Sequence, residues 1–506
     1  MSRPVLPRAE AREELGSRHF DLLVIGGGIV GAGVAHEAAR AGLVVALVDR
    51  GDFGGATSGA SSKLIHGGLG YLPLGNVRLV REAHRERRAL MRVVAPHLVR
   101  PLRFLVPLYR DGPYRRVETT LGLWAYSTLA GERLRAFVGP ERARASVPDL
   151  RVEGLHGCGA YSDAWTHDSR LSLLNVRAAA EAGATVLNHA EVVALGTEGG
   201  RAAGGEIVDR LDGLRVSVSA RAIVNATGPW LDRVRRLEDP DAEPAGRLSK
   251  GVHVLVPLEQ EWRAALTIPH DRVRVTFAYP WEGMLLLGTT DDLYKAEPDE
   301  LEVRDEDVDQ VLSDAAVAVA PEVLRRERVR AAFAGLRVLP HSGGDTVRAR
   351  RETVFLEGKT GVLSIAGGKL TTYRRIALSA LARVGRTIDV GRLDLRAVPL
   401  PGATGIEDAA RELAEKHPEL PWPTRAQLVH LYGSLALEVV GLADGRPELL
   451  RPMHPKAPEI WAQVVYAKRH EWAASTDDVL WRRTTLGPRG LGTPDVVARI
   501  ETLLSG

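Results

Sequence analysis

Three stretches of this 506-residue chain carry residues whose types and spacing could do chemistry. The first is G-x-G-x-x-G at Gly26, Gly28 and Gly31, with Gly33 just beyond. The first glycine permits a tight turn, and the second lets the backbone approach a pyrophosphate. The third lets a helix pack close to a strand, and the N-terminus of that helix faces the phosphate charge. Asp49 closes the next apolar run, where an acid can accept a ribose hydroxyl hydrogen bond. The pattern is that of an adenine dinucleotide site, set against a helix–strand contact that needs small residues and binds nothing. The second stretch, residues 51–72, is rich in Gly, Ser and Thr, and can wrap a ligand with backbone N–H and hydroxyl groups. Lys63, His66 and Tyr71 would be odd ornaments for a solvated linker. The third, residues 361–376, reads as strand, glycine turn and helix start, a second helix N-terminus for an anionic group.

Elements that could position these residues follow from periodicity. Residues 21–25 and 44–48 are short apolar runs suited to strands buried on both faces, with a helix between them. Residues 168–182 read as a helix, 185–195 as a strand and 221–230 as a buried strand that breaks at Gly228-Pro229. Alternation around 252–256, 272–277 and 284–287 predicts a second, mainly antiparallel sheet. After Pro399-Leu400-Pro401-Gly402 the chain turns helical, over 407–416, 425–432 and 458–472, and ends in a helix with Thr493 as N-cap and Pro494 in its first turn.

Residues 76–96 read as a helix with Arg81, Arg85, Arg88 and Arg92 on a solvated face. Between residues 100 and 135, Arg110, Arg115 and Arg116 precede Leu121, Leu123, Trp124, Tyr126 and Leu129. Such a pairing suits a buried helix or a membrane interface. The composition, 45% hydrophobic and 26% charged, is that of an ordinary globular protein. A net charge of +3 is too small to argue for nucleic acid, and merely permits an anionic substrate or membrane surface. One cysteine, Cys158, excludes an internal disulfide framework and a thiolate metal cluster, and no metal site is expected. Residues 1–20 lack an apolar core of signal-peptide length, and read as a solvated lead-in. No transmembrane helix is evident, so an intracellular protein is expected.

Eight segments in order resemble the FAD-dependent, membrane-associated glycerol-3-phosphate dehydrogenases and the related glycerophosphate oxidases. They are VIGGGIVGAG from Val24, ATSGASSKLIHGGLGYL from Ala56, VNATGPW from Val224, KGVHVLVP from Lys250, PWEGMLLLGTTD from Pro280, AGLRVLP from Ala334, GGKLTTYR from Gly367 and HEWAASTDDVLWRRT from His470. The fingerprint is shared by many flavoproteins, whereas SSKLIHGGL and GGKLTTYR are more particular. The resemblance implies an α/β fold, α+β overall: a glutathione-reductase-like FAD-binding domain, an antiparallel-sheet cap and a C-terminal helical domain. Matched boundaries are 18–100, 150–240 and 346–395 for a discontinuous FAD domain, 101–149 for a membrane-proximal helical insertion, 241–345 for the substrate cap and 396–506 for the helical domain.

By the same resemblance, Gly26, Gly28, Gly31 and Asp49 hold the ADP half of FAD, and Gly228 closes the adenine-side turn. Thr57, Ser61 and Ser62 lie along the pyrophosphate and ribityl chain, with His66 beside the isoalloxazine. Gly368, Lys369, Leu370 and Thr371 sit at the pyrimidine edge, where a helix N-terminus and a lysine stabilise the charge of reduction. Tyr71, Arg337, Arg350 and Lys369 form the substrate pocket, arginine suiting phosphate because its fork binds two oxygens. His66 and His253 are alternative acceptors of the hydroxyl proton, and Arg337 could steer the alkoxide. The implied reaction oxidises sn-glycerol 3-phosphate to dihydroxyacetone phosphate and passes electrons to a quinone. Its implied setting is peripheral, on the inner face of the cytoplasmic membrane, and a homodimer is left open.

The sequence departs from the family at Gly70, where HGGLRYL usually carries Arg, and at Val30, where Asn is common. Losing one charge-assisted phosphate contact costs about 1.5–3 kcal/mol unless replaced, roughly one to two decades of affinity. Arg348 and Arg351 are substitutes in reach along the sequence. Rival readings are an oxidase using oxygen, a flavoenzyme for another hydroxy acid or amine, and an FAD-binding protein without turnover.

Overall fold

A computed structural model describes residues 5–69, 76–132, 136–272, 274–340 and 353–506. The lead-in differs from its sequence reading. It forms helix α1 (Arg8–Ser17), which buries Ala11 and Leu15, one turn apart, while Arg8 pairs with Asp209 at 2.6 Å. Two apolar residues at i, i+4 are enough to dock so short a helix.

The strand His19–Ile25 is the centre of the first sheet, with Leu22, Leu23 and Val24 fully buried. It pairs in parallel with Arg215–Asn225 on one side and Val45–Val48 on the other. Leu363–Ala366 and Thr185–Leu187 extend the parallel set outward, and Val354–Glu357 adds an antiparallel edge. Helix α2 (Ile29–Arg40) follows the glycine turn and packs against Asp168–Glu181 and Tyr373–Val384. Its alanines and glycines allow that approach: a Cβ on Gly33 would stand 2.8 Å from the Tyr373 ring.

The second sheet is built mainly from antiparallel strands, as alternation predicted for residues 252–287. Among the described residues it runs Asp292–Tyr294, Gly246–Pro257, Met284–Gly288, Val275–Trp281, Ala265–Pro269, Arg100–Tyr109, Leu155–Trp165 and Leu64–Ile65. Ala331–Pro340 adds to it along Gly246–Pro257. Three of these strands lie outside the 241–345 span assigned to the cap. Residues 101–149, read as a helical insertion, begin with Arg100–Tyr109, which pairs with Leu155–Trp165 and Ala265–Pro269. Leu102, Phe104, Val106 and Leu108 recur every second residue and pack in one cluster, while Leu105 faces another. That period is a strand's, not a helix's.

Helix α3 (Val77–Ala89) leaves Arg81, Arg85, Arg88 and, beyond its end, Arg92 exposed but buries Glu86 and Arg87. Glu86 pairs with Arg374, not with a neighbour on its own helix. Helix α4 (Arg116–Leu129) buries Leu123 and Tyr126, and exposes Val117, Leu121 and Trp124. The C-terminal helices share a core with the first sheet's helices, uniting Leu431, Val464 and Ile500 with Ile29 and Leu174, and with Ile65 of the second sheet. Buried ion pairs fix this arrangement: Arg170 to Glu471 at 2.6 Å, and Arg483 to Asp52. Among the described residues no helix is long and apolar enough to cross a membrane.

Candidate functional site

Residues of both sheets line one cavity of about 950 Å³. That volume is at the upper end for small-molecule sites, and accommodates a dinucleotide. At the glycine turn, Gly26 takes φ +103°, where a Cβ would stand 2.6 Å from the Ala226 carbonyl oxygen. A Cβ on Gly31 would collide with the Gly26 carbonyl, so the third glycine seats α2 on the turn. Gly28 is the N-cap of α2, and a Cβ there would meet the Ser58 hydroxyl at 2.9 Å. Ser58 accepts the Ile29 N–H at 2.9 Å and was not singled out in the sequence, although it lies within the Gly/Ser-rich stretch.

Asp49 lines the cavity and also braces the turn itself. Its two carboxylate oxygens accept from the Gly27 N–H at 2.6 Å and the Gly51 N–H at 2.8 Å. Burial raises its pKa, against those two amides. Gly228, at φ +57°, opens the short turn Gly228–Trp230 on the same cavity. Asp299 bridges the neighbouring walls: it accepts from Arg50 at 2.6 Å, Arg233 at 2.7 Å and the Trp230 indole at 2.9 Å.

The hydroxyl groups expected along a pyrophosphate all line the cavity, but each also serves the protein. Thr57 donates to the Leu336 carbonyl at 2.7 Å, and Ser61 to Asp168 at 2.7 Å. Ser62 Oγ lies 2.9 Å from His253 Nε2. Lys63, at φ +51°, is buried and spends its charge on Asp168 at 2.7 Å.

His66, His253, Arg337, Gly368, Lys369, Leu370 and Thr371 line this same cavity, brought together from four separate segments. The His66 backbone is held by Thr371, whose hydroxyl accepts the His66 N–H at 3.1 Å and donates to its carbonyl at 3.2 Å. Nδ1 of His66 accepts the Gly68 N–H at 3.1 Å. Burial, then Lys369 and Arg87, lowers its pKa to about 4, so the ring is neutral with its proton on Nε2. His253 is pushed well below the usual imidazole range by burial, then by Arg337 and Lys63. Its Nδ1 has no hydrogen-bond partner among the described residues. Phe333 stacks on this ring at 5.0 Å.

Arg337 is aimed by the turn after Met284–Gly288. It donates to the Thr289 hydroxyl at 2.8 Å and the Thr290 carbonyl at 3.2 Å, and lies 3.4 Å from Asp291. Gly251 leaves it room, since a Cβ there would strike the guanidinium. Gly368 takes φ +152° before Lys369, which caps a short turn, Leu370–Thr372, that leads into Tyr373–Val384. Gly70, Tyr71, Arg348, Arg350 and Arg351 lie outside the described residues. The cavity also reaches under α4, where Phe104, Val106, Leu123 and Tyr161 line it; no motif in the sequence points to this branch.

A doubly wound sheet with a glycine cradle, facing a second sheet across a cavity of this size, defines an FAD-dependent oxidoreductase; FAD is its cofactor. The model of FAD dependent oxidoreductases matches residues 21–374, and that of the C-terminal domain of alpha-glycerophosphate oxidase matches 395–499. The chain belongs to the FAD-dependent glycerol-3-phosphate dehydrogenase family. It is 34% identical over 491 residues to a glycerol-3-phosphate dehydrogenase of Mycobacterium leprae, covering 94% of this chain and 82% of the relative. It is 36% identical over 487 residues to a D-erythritol 1-phosphate dehydrogenase of Brucella abortus, covering 92% and 94%. The solved glycerol-3-phosphate dehydrogenase of Bacillus halodurans, complexed with FAD, superposes with a TM-score of 0.80 at 28% identity, over 98% of this chain and 93% of that one.

Proposed function

We propose that this chain oxidises sn-glycerol 3-phosphate to dihydroxyacetone phosphate, with a quinone as final acceptor. The observation that carries the reading is the meeting of a neutral histidine, His253, with the cations Arg337 and Lys369 on the cavity that the glycine cradle also lines. FAD, when bound, would supply the acceptor for the hydride of the carbinol carbon. Removing that hydride requires the hydroxyl proton to leave, and the two histidines divide the work. His66 would give only a hydrogen bond to the developing alkoxide: its Nδ1 already accepts a backbone N–H, which leaves Nε2–H as a donor. His253 is the acceptor in the tautomer whose Nε2–H is donated to the Ser62 hydroxyl, which leaves the lone pair on Nδ1 unused. Arg337, held by Thr289 and Thr290, and Lys369 attract the phosphate and the developing alkoxide. Gly26, Gly28, Gly31 and Gly228 form the nucleotide cradle in this reading, with Asp49 shaping the turn, Thr57, Ser61 and Ser62 along the chain of the cofactor, and Gly368, Leu370 and Thr371 at its pyrimidine edge.

The quinone reading rests on α4. Its exposed Val117, Leu121 and Trp124 form one stripe, 61–72% exposed, above the apolar branch of the cavity, with Arg115 and Arg116 at its start. Such a helix suits the interface of an anionic membrane, from which a quinone would enter. A second reading, a longer polyol phosphate as substrate, is favoured by Gly70 and by the relative named for D-erythritol 1-phosphate.

Anaerobic addition of glycerol 3-phosphate should bleach the bound flavin nearly stoichiometrically. Bleaching by erythritol 1-phosphate alone selects the second reading, and bleaching by neither refutes both. Fast reoxidation by air with peroxide release, and none by a soluble quinone, overturns the acceptor.

A further inference from the structure

The loop that carries His66 is bolted to the protein from two sides, and only one of the bolts belongs to the segment around Lys369. On that side Thr371 holds the His66 backbone. On the other, the Gly67 N–H donates to Asp163 Oδ1 at 2.9 Å. Asp163, on the strand Leu155–Trp165, also receives Arg87 Nη1 of α3 at 2.6 Å, and the Tyr126 hydroxyl of α4 at 3.0 Å from each carboxylate oxygen. Asp163 and Arg87 are each 3% exposed and Tyr126 is fully buried. The fit is tight, because a Cβ on Gly67 would run into His84 of α3, and would stand 2.5 Å from the Tyr126 hydroxyl.

Burying such an ion pair is weak evidence for stability, since apolar residues of similar volume often do as well. What apolar residues could not supply is the acceptor for Gly67. The amide it anchors is adjacent to His66, whose ring lines the cavity together with Asp163 itself. Hydride and proton transfer tolerate little misplacement of the groups around the reacting atoms, and a shift of about 1 Å can cost roughly a hundredfold in rate.

We propose that Asp163 is a positioning residue for the reaction, acting through the Gly67 amide to fix His66, with Arg87 and Tyr126 orienting its carboxylate. Tyr126 makes α4 part of this support, so the helix with the exposed apolar stripe is wired to the loop that carries His66. The inference rests on the reading that His66 takes part in flavin reduction.

The test uses holoenzyme variants at full FAD occupancy, with single-turnover flavin reduction by glycerol 3-phosphate read anaerobically. Asp163→Asn should slow reduction at least tenfold, with substrate Kd changed less than threefold. Tyr126→Phe, which removes one hydroxyl outside the cavity, should slow it two- to fivefold, and decides the matter should Asp163→Asn fail to fold. Combined with His66→Gln, neither should slow the reaction further, because each acts through that ring. Wild-type reduction in both folded variants overturns the proposal, as does an effect that multiplies with that of His66→Gln. If His66→Gln alone reduces at the wild-type rate, the role of His66 falls and this inference falls with it. If His66→Gln is slow and Asp163→Asn is not, only this inference falls.

Discussion

Removing the Ser62 hydroxyl tests the assignment of His253 most directly. Ser62 Oγ is 2.9 Å from His253 Nε2, and the ring's other nitrogen has no partner among the described residues. His253 is 2% exposed, so Ser62→Ala leaves its buried imidazole without a protein hydrogen bond among the described residues. An unsatisfied buried polar group costs about 1–3 kcal/mol, which the ring can recover only by turning away from its working position. At about 1.4 kcal/mol per decade, flavin reduction should slow roughly 5- to 150-fold. Substrate binding should change little, because Arg337 and Lys369 are untouched. The assay is stopped-flow flavin reduction under nitrogen over a range of glycerol 3-phosphate, which separates the limiting rate from the apparent Kd. Ser62→Thr, which keeps the hydroxyl, should recover most of the rate. Ser62→Ala reducing within twofold of wild type at full FAD occupancy would refute the pairing as a catalytic device.

Three further outcomes follow from the geometry. Gly31→Ala drives a methyl into the Gly26 carbonyl, so flavin absorbance per protein should fall at least tenfold in the purified variant; normal occupancy would contradict the cradle. Asp299→Asn weakens the bridge between Arg50, Arg233 and Trp230, whose hydrogen bonds, against a burial penalty, hold the Asp299 carboxyl down to about 2. The bridge is partly exposed, so it is worth only ~0.5–1 kcal/mol; FAD release should speed roughly two- to fivefold at low salt and converge with wild type in high salt. Acid should destabilise the fold early. Burial lowers the pKa of His36 to about 4, and that of His84, His97 and His167 to about 3. The unfolded chain takes up these protons near pH 6.5 and the native one does not, so stability present above 6.5 is lost as pH falls toward 4, at about 1.4 kcal/mol per unit for each group. A urea midpoint that stays flat between pH 6.5 and 4.5 would count against neutral burial.

Local pattern was enough for much of this. Gly26, Gly28 and Gly31 between an apolar run and a helix made the cradle legible, because the requirement for a missing Cβ is set by neighbours in the same turn. The helices at 168–181 and 494–505 were readable for the same reason. So were the strands around 252–256 and 284–287, whose side-chain period is a property of a few consecutive residues. The Arg100–Tyr109 strand has an equally legible period, but its basic and aromatic surroundings suit a helix as well.

Pairing across the chain was decided by the tertiary structure. Nothing near Asp163 indicates that it will take the amide of Gly67, 96 residues away, nor near Ser62 that it will meet His253, 191 residues on. Asp49 was readable as an acid at the right place, but only closure of the turn committed its oxygens to Gly27 and Gly51. The division of labour proposed for His66 and His253 is of the same kind. Their residue type is identical, and what separates them is the hydrogen-bond partner each ring finds once strands far apart in sequence lie side by side.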